Sequence, residues 1–120
     1  MKINLRLRYL QVDKNRIPYR FTVRLVGETF VFEIHYNFEG DFFTIDLYKG
    51  AQILCTDKIT YGRYLFSQLI DAGQFPIVYI IPLDISDVET IITWQNFMGP
   101  VKPYIFTSEE LELTSGVGDL

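Results

Sequence analysis

From Pro18 to Tyr48 the chain alternates apolar and polar side chains with period two, interrupted only by short polar or glycine-containing segments. Tyr19, Phe21, Val23 and Leu25 oppose Arg20, Thr22 and Arg24. Phe30, Phe32, Ile34 and Tyr36 oppose Val31, Glu33 and His35. Phe43, Ile45 and Leu47 oppose Thr44 and Asp46. A helix cannot gather such a pattern onto one face, whereas a half-buried strand does so at every second residue. The breaks at Gly27-Glu28, Asn37–Asp41 and Lys49-Gly50 are too short for a parallel crossover, so consecutive strands must pair antiparallel. Residues 18–56, including 51–56, therefore read as a four-stranded antiparallel meander, with Pro18 at its start, where a missing N–H does no harm.

The flanking segments extend the same architecture. Residues 3–12 alternate, with Ile3, Leu5, Leu7 and Tyr9 on one face and Asn4, Arg6 and Arg8 on the other. Residues 77–83 form a continuous apolar run in which Pro82 points to a sheet edge. Residues 88–97 and 103–107 read as closing strands, separated by the breaker Met98-Gly99-Pro100. One short helix is expected at about 64–71, ended by Gly73. The fold expected is mainly β: a small antiparallel barrel or two-layer sandwich of about seven strands with one short helix. The length of 120 residues fits one domain, assigned to 1–107, and 108–120, with four acids and no base, read as a flexible acidic tail.

Little in the residue inventory serves catalysis. The chain has one His and one Cys, which excludes multi-His metal sites and an internal disulfide framework and suits a reducing compartment. Neither a phosphate-cradling glycine motif nor CxxC or HExxH is present. Cys55 and His35 fall on different strands, with Cys55 in an apolar stretch that favours an inert buried thiol. Asp84, Asp87 and Glu89 lack the full spacing of a calcium loop and suit turn capping. No catalytic, cofactor-binding or metal-binding residue is therefore assigned. The opening MKINLRLRYL lacks the apolar core and cleavage site of a signal peptide, and no apolar run is long enough to span a membrane.

Charge is unevenly distributed. Residues 1–26 hold seven basic side chains and one acid, and residues 27–120 hold four basic and fourteen acidic ones. Such polarity suits contact with another charged surface. Arg6, Arg8, Arg20 and Arg24 recur at even spacing and could line one sheet face as a site for single-stranded nucleic acid. That reading lacks interleaved exposed aromatics and sits on an acidic chain. Trp94 is a candidate interface anchor. Tyr61 and Arg63, in Tyr61-Gly62-Arg63-Tyr64, belong to either a packed structural loop or a surface recognition loop.

Several segments form an ordered set: Ile17-Pro18-Tyr19-Arg20-Phe21, Gly27-Glu28-Thr29-Phe30, Phe32–Asn37, Gly40–Tyr48, Tyr61–Phe66, Ile81-Pro82-Leu83-Asp84 and Ile92–Phe97. In that order, over about residues 9–106, the chain resembles the baseplate plug family of contractile-tailed cyanophages and its prophage-encoded relatives. The resemblance implies a structural part of a phage tail baseplate with no enzyme activity and no cofactor. It would be made in the host cytoplasm and dock against hub, tube or spike proteins, with homo-oligomerisation inside the assembly open. Arg6, Arg8, Arg20, Arg24, Tyr61, Arg63 and Trp94 are the interface candidates.

Overall fold

The computed structural model describes residues 7–107. Their seven strands are β1 (Arg8–Tyr9), β2 (Tyr19–Leu25), β3 (Glu28–Asn37), β4 (Phe42–Lys49), β5 (Gln52–Lys58), β6 (Val78–Asp84) and β7 (Val101–Thr107). One helix, α1 (Ser67–Asp71), and a 3-10 turn at Lys14–Arg16 complete the list of regular elements. The expected meander is present as a four-stranded sheet ordered β2-β3-β4-β5; a second sheet is ordered β1-β7-β6. All strand pairs are antiparallel. The two sheets keep their edges and do not close, so the barrel alternative is excluded.

The alternation determines which face of the meander is buried. Phe32 pairs with Leu47 and Ile34 with Ile45 in the β3–β4 register. These four, with Phe30 and Phe43, are at most 2% exposed. Burying each such side chain contributes about 1.5–3 kcal/mol. Their partners come from irregular segments and from the second sheet. Phe32 meets Phe66 edge-on at 5.5 Å, Phe30 meets Phe75 at 5.1 Å and Phe43 meets Phe97 at 4.5 Å. Val78, Ile80 and Val101 join the same hydrophobic cluster. Much of the aromatic content is thus internal packing.

The β2–β3 connection is a two-residue turn, Val26-Gly27, with φ of +50° and +78°. Positive φ at both positions matches right-handed strand twist and suits Asn-Gly, but it strains a β-branched residue. Val26 is 72% exposed and has no packing to offset that strain. Val26→Asn is expected to stabilise the protein by about 1 kcal/mol, raising Tm by about 4–8 °C in a thermal melt.

Pro82 does lie in an edge strand, as its sequence position suggested. It faces Pro103 of central β7, whose carbonyl turns outward to accept the Leu10 N–H at 2.9 Å. Neither proline is therefore asked for a hydrogen bond to the other. The free edge of β6 is covered by the Tyr61–Leu65 segment. Gly62 N–H donates to Pro82 O at 2.8 Å, and Leu65 N–H donates to Ile80 O at 2.9 Å.

Two expectations are corrected. Residues 88–97 are a loop, not a strand. Polar side chains take up the backbone groups that a ladder would need. The Asp84 carboxylate accepts from the N–H groups of Ser86, Val88 and Glu89 at 2.9, 3.2 and 2.8 Å. Asn96 accepts from Thr93 N–H at 2.8 Å and donates to Ile91 O at 2.9 Å. Secondly, the first strand is only Arg8–Tyr9 within the described residues, and Leu7 is half exposed, whereas Leu10 and Val12 are buried. The inward register is thus set after Tyr9, where Leu10 N–H engages Pro103 O. The expected short helix is present as Ser67–Asp71, starting three residues later than the pattern suggested. The acidic segment 108–120 and Arg6 lie outside the described residues.

Candidate docking surface

At one end of the molecule the β3–β4 turn meets the long β6–β7 loop. Tyr36, Phe38, Asp41, Thr93, Trp94 and Gln95 line an open groove of about 610 Å³. Trp94 is the largest of these lining side chains. The indole stacks on Phe43 (5.9 Å between centroids, 13° between planes) and touches Tyr36 at 4.8 Å. The Lys14 ammonium sits 5.2 Å from the indole centroid and donates to the Trp94 carbonyl at 2.5 Å. Asp41 ties turn to loop: one carboxylate oxygen accepts from the Tyr36 hydroxyl at 2.6 Å and from Trp94 N–H at 2.8 Å. These donors hold the Asp41 carboxyl below its ordinary range, and Asp41 in turn pushes the Tyr36 phenol up.

Phe38 stands beside this groove at 81% exposure. A second groove of about 340 Å³ shares Asp41 and is lined by Lys58, Tyr61, Ile91 and neighbours. Ile91, at 62% exposure, adds apolar surface there, and Ile85 and Val88 of the same loop are also exposed. Scattered exposed apolar residues are ordinary, but a solvent-facing Phe in a groove shared with a Trp suits contact with another protein. The segments 38–41 and 85–97 carry Glu39, Asp41, Asp87 and Glu89 and no basic residue, while Lys14 over Trp94 and Lys58 in the second groove bring positive charge to the same surface.

The structure brings two sequence candidates, Trp94 and Tyr61, to adjoining grooves. Tyr61 also accepts the Asp84 N–H at 3.0 Å, anchoring the loop. Arg63 lies elsewhere, paired with Asp57 at 2.6 Å. The arginines do not form one strip. Arg8 belongs to the three-stranded sheet, and Arg20 and Arg24 stand on the outer face of the four-stranded one. Arg20 bonds Glu33, its register partner, at 2.6 Å and covers the Tyr48 ring at 4.4 Å. That hydrogen bond raises the Arg20 pKa and lowers that of Glu33. Cys55 shares the inward face with Leu47, opposite the face that bears His35, so the two are separated by the sheet. Burial pushes the Cys55 thiol up, aided by Asp57 and Asp46.

Phe38 was not among the sequence candidates; its only signal is an aromatic residue inside an Asn/Gly/Asp turn. Asp84 is the other residue whose role emerges from the structure. It is 5% exposed, and its carboxylate gathers the start of the Trp94 loop. The Ser86 hydroxyl foremost, with the backbone N–H groups, lowers its pKa from 3.8 to about 2. Because the folded value lies below the unfolded one, this carboxylate stabilises the loop above the ordinary value and stops doing so as pH falls through about 2. Trp94 emission is expected to change between about pH 4 and 2, with Asp84→Ala showing the low-pH spectrum already at neutral pH. An Asp84→Ala spectrum identical to wild type at pH 7 would remove Asp84 as the loop anchor.

Among the described residues no helix is long and apolar enough to cross a membrane. A family model described as cyanophage baseplate Pam3 plug gp18 matches residues 7–109. No curated protein and no solved structure matches the chain.

Proposed function

The chain belongs to the cyanophage baseplate plug family, and from that premise we propose that it is a non-enzymatic building part that docks against hub, tube or spike proteins through the Phe38–Trp94 end. Family membership supports a structural role in the phage tail baseplate. The observation that carries the finer reading is the exposed Phe38 in a groove shared with Trp94, whose indole is held by contacts with Tyr36, Phe43 and Lys14. A packed indole loses little side-chain freedom on binding, so contact with Trp94 is little offset by ordering. The carboxylates of Glu39, Asp87 and Glu89 suit a partner that presents an apolar projection with Lys or Arg beside it, while Lys14 and Lys58 leave room for a partner acid at the grooves themselves. Complementary charge would set orientation and encounter rate more than affinity.

The test is proteomic and genetic. Purified tails of the encoding phage should contain the chain in fixed stoichiometry. Zero-length cross-linking should join Glu39, Asp41, Asp87 or Glu89 to lysines of a different baseplate protein. Absence of the chain from purified tails would refute the role. Cross-links only to a second copy of the chain would refute the proposed partner and assign the surface to self-association.

A further inference from the structure

On the outer face of the four-stranded sheet, three potential ligands converge. Glu33 and His35 are two apart on β3 and so share a face; Asp46 on β4 is the register partner of Glu33. His35 Nε2 lies 2.9 Å from Glu33 Oε2 and 3.2 Å from Asp46 Oδ2. All three donor atoms fall within 4.8 Å of one another, the one such set of three among the described residues. From this geometry we infer that Glu33, His35 and Asp46 form a binding site for a divalent transition-metal ion of the zinc type.

The argument rests on which oxygens are engaged. Each carboxylate has its far oxygen held from outside: Glu33 Oε1 by Arg20 Nε at 2.6 Å, Asp46 Oδ1 by the Thr56 hydroxyl at 2.6 Å. The remaining oxygens, Oε2 and Oδ2, are the ones aimed at the imidazole. Outer partners of this kind orient ligands and are part of a working metal site. Zinc binds imidazole nitrogen and carboxylate oxygen at about 2.0–2.2 Å, so neighbouring donors on a tetrahedral ion lie about 3.3–3.6 Å apart. The two nitrogen–oxygen separations, 2.9 and 3.2 Å, are hydrogen-bond distances and open by about 0.1–0.7 Å to reach that spacing, a movement within reach of side-chain rotation. Binding would replace the hydrogen bonds of Nε2–H with coordination of Nε2, the ring proton residing on Nδ1. The side chains are 21%, 42% and 14% exposed for Glu33, His35 and Asp46, leaving an open side for water or a partner's ligand. The nearby Arg20 charge opposes a cation, but its contact is with Oε1, outside the ligand cluster.

The test uses tag-free full-length protein, with Zn²⁺ alone as the probe in calorimetric titration. One saturable site per chain is expected. His35→Gln, Glu33→Gln and Asp46→Asn should each weaken binding at least tenfold, and Thr56→Val about tenfold through loss of orientation. Co²⁺ should give a visible absorption band in wild type that His35→Gln abolishes. Circular dichroism checks that each variant keeps the fold, and His35→Gln, at a half-exposed position, is the decisive one. No saturable zinc binding below millimolar concentration, or His35→Gln binding within twofold of wild type, would overturn the inference. This outcome is independent of whether the Phe38–Trp94 surface docks.

Discussion

Phe38→Ser is expected to leave the subunit folded while weakening its docking into the baseplate by about 30-fold or more, the loss of about 2 kcal/mol that marks an interface hot spot. Phe38 is 81% exposed in the isolated chain, so its removal should change stability by no more than about 0.5 kcal/mol. An aromatic side chain that gains its burial only in the complex contributes to binding and not to folding. Competition between wild-type and Phe38→Ser subunits for baseplates assembled without the protein measures the ratio directly. Equal incorporation of the two would show that this end of the molecule faces solvent in the assembly.

The opposite separation is expected at Phe43. It is fully buried and contacts Tyr36 at 4.9 Å, Trp94 at 5.9 Å and Phe97 at 4.5 Å. Phe43→Ala removes a ring from the junction of meander and loop and leaves a cavity among neighbours that cannot all collapse. The cost is expected to be about 3–5 kcal/mol, a fall in Tm of roughly 12 °C or more. Because the only tryptophan stacks on this ring, its emission should change before global unfolding. A Tm within a few degrees of wild type would mean that Phe97 and Trp94 repack over the gap. The contrast between Phe38 and Phe43 distinguishes aromatic residues that build the domain from those that connect it to a neighbour.

The meander was legible in the sequence because three of its strands, β2, β3 and β4, each bury one face. Alternation at Phe30, Phe32 and Ile34 and at Phe43, Ile45 and Leu47 carries its own register, and a one-residue slip would expose every one of them. The second half was less legible for a physical reason. Val88, Ile91, Ile92 and Thr93 have strand-like side chains, yet the backbone there is satisfied by Asp84, Asn96 and Asp41. Asp41 lies 53 residues from Trp94 in sequence, and local pattern carries no trace of such a partner. The same limit applies to the site. Trp94 and Tyr61 stood out by residue type, whereas Phe38 gained meaning only when the fold set it beside Trp94. The arginines stood out by spacing, but spacing within a strand did not reveal that Arg8 and Arg20 occupy different sheets. Glu33, His35 and Asp46 were read as solvent-face residues one by one; their convergence needs the β3–β4 register.

The central claim is that this chain is a structural plug seated in a phage baseplate through its Phe38–Trp94 end. A cryo-electron microscopy reconstruction of the intact tail tip tests it most directly. The account predicts density for the two-sheet fold within the baseplate, with Phe38 buried against a different protein and basic side chains beside Asp41 and Glu39. A baseplate without this fold, or one in which Phe38 faces open solvent, would contradict it.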